Sequence, residues 1–146
     1  MTVKCTTTLR NAVVPALKTA LDGGLILVFS GQMPAAPEDA VVNGEVVCVI
    51  SKQASGEGLE FAPGANGGAI SKSPDDVWSG DVGVSGTASF WRWVMPGDDG
   101  YSYSDTALRL QGTVNVAGAD LNFSSTTFSE GENRSIDFCQ FLLINL

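Results

Sequence analysis

The chain has 146 residues, 44% of them hydrophobic and only 16% charged, with 17 glycines and a formal net charge of −8. That length suits one domain, residues 1–146, with enough chain to bury a core. The acidity, with eight Lys and Arg scattered from Lys4 to Arg134, argues against a nucleic acid partner, since such binding rests on clustered cations meeting phosphate.

The cysteines are Cys5, Cys48 and Cys139, and there is no histidine. An odd, widely spaced set without a CxxC pair gives neither a disulfide framework nor a structural zinc site. Cys48 and Cys139 sit in apolar runs and read as buried thiols acting as small hydrophobes. Unpaired thiols point to a reducing cytoplasm as the place of synthesis. The opening MTVKCTTTLRN holds no apolar leader core, and runs such as residues 25–29 are too short to cross a bilayer, so no membrane partner is expected.

In chain order, residues 1–8 are polar and Thr-rich and read as an extended arm or a short edge strand. Residues 9–22 follow as a helix, with Leu9, Ala12, Val13, Ala16, Leu17, Ala20 and Leu21 making one apolar stripe. Asn11 suits the N-cap, which places Pro15 near the first turn, and Gly23-Gly24 suits the stop. A start at Thr8 instead puts Pro15 inside the helix and predicts a kink.

Strands are predicted over residues 25–30 (LILVFS) and 45–51 (EVVCVIS), separated by a Pro-rich loop. Residues 52–68 read as a long surface loop or a weak edge strand, with only Leu59–Phe61 looking ordered, and residues 69–71 as a short strand. Trp78 follows a turn, and residues 81–85 and 86–95 form one strand broken at Gly86 or two strands. PGDDG marks a turn. Strands are then predicted over 107–116, 121–124, 126–129 and 135–144, with turns between. Roughly eight strands without intervening helices predict an antiparallel β-sandwich, jelly-roll-like, with one N-terminal α-helix.

The centre of the pattern is residues 86–95, GTASFWRWVM. Strand alternation puts Trp91, Trp93 and Met95 on one face and Phe90, Arg92 and Val94 on the other. Both faces are bulky and need cover. One set fills the core; the other should meet the helix or a neighbouring subunit. Trp78, Phe90, Trp91, Arg92 and Trp93 are therefore interface candidates. Arg92, inside so apolar a strand, should pair with a carboxylate or reach an interface.

Catalytic chemistry finds little support. Without histidine there is no Ser-His-Asp or Cys-His arrangement, and Ser51-Lys52 and Ser71-Lys72 are neighbours that point to opposite faces of a strand. The pairs Asp75/Asp76, Asp98/Asp99 and Glu130/Glu132 lie in turns, where such side chains bond their own backbone. Asp98-Asp99-Gly100 with Asp105 offers hard oxygens to a cation but does not match an EF-hand loop. GANGG at 64–68 precedes no helix that would complete a phosphate cradle. No catalytic, cofactor or metal residue is assigned.

One further pattern is the order of short motifs. A helix ends in Gly23-Gly24 and runs into a strand ending Ser30-Gly31, followed by a Pro-containing loop at 32–37. Gly86-Thr87-Ala88 leads into Trp91-Arg92-Trp93. Leu108-Arg109-Leu110-Gln111-Gly112-Thr113-Val114, Gly118-Ala119-Asp120-Leu121 and a late Ser129/Gly131 turn follow. From about Leu9 to Ile144 this order resembles small virion structural proteins of tailed bacteriophages, encoded among the head and neck genes. The resemblance implies a non-enzymatic homo-oligomer located in the virion and assembled in the host cytoplasm. Its expected role is a decoration (cement) protein bound to the major capsid protein, or a neck, tail or fibre component. In this picture the arm and the loop 52–68 order on the lattice. The rival reading is a carbohydrate- or receptor-binding module using Trp78, Trp91 and Trp93 as a platform.

Overall fold

Helix α1 (Thr7–Leu21) begins two residues before the predicted start in this computed structural model, which describes residues 3–64 and 67–142. Residues 143–144 of the expected closing strand and residues 65–66 of the GANGG run lie outside the described residues. The N-cap is Thr6, not Asn11: its backbone is extended and its Oγ1 accepts the Leu9 N–H at 3.2 Å. Asn11 bonds outward instead, accepting the Gly68 N–H at 3.3 Å. Pro15 therefore stands inside the helix and removes one backbone bond. Gly23, with φ +94°, ends the helix as expected.

The apolar stripe of α1 is only partly used. Val14 and Leu21 are buried and Leu17 half-buried, while Leu9 and Val13 are 55% and 40% exposed. The rotation is set at the helix end, where the Trp93 indole donates to the Leu21 carbonyl at 3.1 Å.

The rest is mainly β, as the sequence predicts. Strands β1 (Leu25–Gly31), β2 (Gly44–Lys52), β4 (Trp78–Asp81), β5 (Gly86–Val94), β6 (Leu110–Asn115), β7 (Leu121–Asn122) and β9 (Asn133–Ile136) form one sheet. Its order is β7-β6-β5-β1-β2-β4-β9, and β8 (Thr127–Phe128) pairs with the start of β5. A two-stranded ribbon joins β3 (Ala69–Ser71) to β10 (Gln140–Leu142). Pairings are antiparallel except β6–β7, which is parallel. The sheet curls until it is nearly barrel-like, consistent with a β-sandwich.

The predicted strand at 81–85 does not form, since β4 ends at Asp81 and β5 starts at Gly86 with only an isolated Val82–Cys48 bridge between, and several predicted strands change at their ends. The 107–116 strand begins only at Leu110, because Arg109 is drawn out of the ladder to Asp98. The 135–144 run divides: the chain leaves the main sheet after Ile136, turns through exposed Asp137 and Phe138, and joins β3 as β10.

Alternation along β1 and β5 creates two cores. The inner one holds Ile26, Val28, Ile50, Trp78, Trp91, Trp93, Leu121 and Ile136, closed by α1 and the ribbon. The outer one holds Leu27, Phe29, Phe90, Val94 and Val41. Phe29 and Phe90 stack at 4.6 Å, and Tyr101 meets Phe29 edge-on at 5.3 Å.

Candidate binding cleft at the seam of the sheet

The five residues singled out by sequence are all inside the chain. Trp78, Phe90, Trp91, Arg92 and Trp93 are between 0% and 2% exposed. The two faces of β5 are divided as predicted, but the cover is not. The Trp face lies under the ribbon, α1 and the segment between β2 and β3: Trp91 stacks on Phe141 of the ribbon at 4.8 Å, Trp93 stacks on Phe61 of that segment at 4.8 Å, and the Trp93 indole bonds α1 at Leu21. The Phe90/Arg92/Val94 face lies under the loops 32–43 and 95–109, not under the helix or a subunit. All five are buried within the single chain, so the three Trp side chains form no exposed platform; Trp91 lines a surface cleft.

Arg92 takes neither expected course: among the described residues it pairs with no carboxylate, and it is buried under the chain's own loops. Its Nε donates to Gln111 Oε1 at 3.0 Å, Nη1 to the Gly100 carbonyl at 2.9 Å, and Nη2 to the Asp39 and Ala36 carbonyls at 2.7 and 3.3 Å. Burial, then the nearby Arg109 charge, lowers its pKa from the usual guanidinium value. The carbonyl fork holds both covering loops to the sheet. Around it, Gln111 Nε2 donates to the Pro34 carbonyl at 2.7 Å and Arg109 Nη1 to the Pro37 carbonyl at 3.1 Å.

The turn carboxylates are also committed internally. Asp98 accepts two bonds from Arg109, at 2.6 and 2.7 Å, and one from the Gly100 N–H at 2.9 Å. That partner depresses the Asp98 pKa and raises that of Arg109. Asp99 collects the N–H groups of Tyr101 and Ser102 and the Ser102 hydroxyl, which bring it down to about 2. Among the described residues, no three His, Cys, Asp or Glu side chains gather as a metal site. Cys48 and Cys139 are buried as predicted, and burial pushes their thiols up to about 11 and about 12.

A surface cleft adds to these sites. Strands β7 and β9 are the two ends of the sheet, and both line one cleft of about 820 Å³. Trp91, Phe123 and Phe141 contribute buried side chains to its lining. Asp120 and Asn122 line it from the β7 side; Asn133, Arg134 and Asp137 line it from the β9 side. Phe138, also lining it, is 75% exposed. Gly112 makes one wall possible: a Cβ there would stand 2.8 Å from both Asp120 Oδ2 and Trp91 Nε1. Asp120 Oδ2 is taken by the Thr113 N–H and hydroxyl, at 3.0 and 3.2 Å, and the buried Trp91 indole N–H has no acceptor among the described residues. Arg134, 4.6 Å over the Phe128 ring, donates to the Thr127 carbonyl and to Glu132 and fixes the β9 side.

The cleft therefore combines two open strand edges, an aromatic lining and two carboxylates, and such a seam accepts an extended chain. The one sequence signal pointing toward it was Gly112 between alternating bulky residues, a mark of close approach. Comparison with known proteins adds nothing to this geometry: no protein-family model, curated protein or solved structure matches the chain.

Proposed function

We propose that the chain is a non-enzymatic structural protein of a tailed-phage virion, a decoration protein that binds the major capsid protein. The observation that carries this reading is that four of the motifs behind the resemblance are joined to one another by hydrogen bonds. Arg92 of the aromatic-Arg-aromatic motif bonds Gln111 of the LRLQGTV run and Ala36 of the Pro loop. Gln111 in turn bonds Pro34, and Asp120 of the GADL turn bonds Thr113. Such a frame serves a rigid component that presents surfaces rather than a reaction centre. The committed carboxylates Asp98 and Asp99 agree with that role.

The test is mass spectrometry and cryo-electron microscopy of purified particles from the phage encoding this chain. Density for the fold on the capsid surface at hundreds of copies is the expected result. A dozen or fewer copies would move the protein to the neck, tail or fibre. Particles without the chain would overturn the virion reading.

A further inference from the structure

We propose that the seam cleft is filled by the segment preceding α1 of a second copy of this chain, which adds a strand between β7 and β9. This goes beyond the virion reading and stands on the cleft and the segment alone.

On the cleft side, β7 and β9 each end the sheet path, so each presents an outer edge that no described strand pairs with. An open edge is a template for an added strand, bonded through its main chain. On the donor side, residues 3–6 lie outside any helix or strand, up to the Thr6 cap. Val3 is 76% exposed and Lys4 is exposed as well. Val3 and Thr6 are β-branched, which suits an extended pairing.

Length and alternation agree. The four described residues before the helix match the four residues of β9, Asn133–Ile136. In an extended segment Val3 and Cys5 share one face and Lys4 the other. Val3 and Cys5 then meet the aromatic lining, Phe123 and Phe141, while Lys4 is offered to Asp120 and Asp137. The cleft's cation, Arg134, is already engaged by Glu132 and the Thr127 carbonyl, so acidic groups face the incoming lysine.

Donor and acceptor are different surfaces, so the contact is head-to-tail. Such contacts close into rings when the rotation permits, and otherwise extend as chains.

The test is sedimentation velocity of the full chain and two variants, with far-UV circular dichroism and thermal melts to verify folding. The full chain should self-associate with rising concentration. Val3→Asp with Lys4→Glu, and separately Asp137→Lys with Gln140→Lys, should each weaken association by about tenfold or more while leaving the fold intact. Mixing the two variants should restore association, because one keeps an intact cleft and the other an intact donor segment. The Trp91 indole resonance, in the cleft wall, should shift in the mixture. A full chain that stays monomeric up to high concentration overturns the proposal. So does association unaffected by the donor variant, or two folded variants that fail to combine.

Discussion

Removing the Arg92 guanidinium tests whether a buried charge without a carboxylate partner holds the outer face together. In Arg92→Met the side chain keeps its apolar length and loses all its donors. Of its four acceptors, the Ala36 carbonyl retains the Asp39 N–H at 3.1 Å. The Asp39 and Gly100 carbonyls and Gln111 Oε1 have no second donor among the described hydrogen bonds. Leaving a buried acceptor unmet costs about 1–3 kcal/mol, and part of that returns because burying the charge was itself unfavourable. The expected net loss is about 3–5 kcal/mol, a large share of a typical domain's stability. Arg92→Lys keeps the charge but cannot span the fork, and should lose about half as much. Urea unfolding with linear extrapolation reads both values. Hydrogen exchange should show the loops 32–43 and 95–109 opening first, since Arg92 ties both to β5. If Arg92→Met costs under about 1 kcal/mol, or those loops stay as protected as before, the fork is not what fastens the face.

Three further outcomes follow from the same geometry. Gly112→Ala puts a methyl group 2.8 Å from both Trp91 Nε1 and Asp120 Oδ2, and should cost about 1–3 kcal/mol and shift the Trp91 indole resonance. An unchanged melt would show that the wall is loose. Thiol titration of the native protein should leave Cys48 and Cys139 unreactive at pH 8, since burial holds them near 11 and 12, with all three cysteines reacting in denaturant. Acidification should destabilise the fold. Asp98 and Asp99 have depressed folded-state values, so their contribution is complete above the unfolded aspartate value of about 3.9 and is lost as pH falls through the folded values, about 2 for Asp99. Asp98→Asn should flatten that acid limb; an unchanged limb would locate its cause elsewhere.

The division of β5 into a Trp face and a Phe90/Arg92/Val94 face was legible in the sequence, because side chains alternate along any strand. The buried thiols, the Gly23 stop and the turn roles of Asp98 and Asp99 were legible too, each resting on neighbours a few residues away. The cover of the outer face was not. Arg92 is held mainly by backbone carbonyls, and every residue carries one, so nothing in the letters marks Asp39 or Gly100 as a partner. The helix shows the same limit: its apolar stripe is local, but a bond from Trp93 to Leu21 decides that Val14 turns inward while Leu9 and Val13 face out. The cleft lay furthest from reach. It exists because β7 and β9, the ends of the strand order, come round to line one space, and strand order is fixed by pairings between distant segments. Local periodicity thus determined which side chains leave each strand together, and only the closing of the sheet decided what each of them meets.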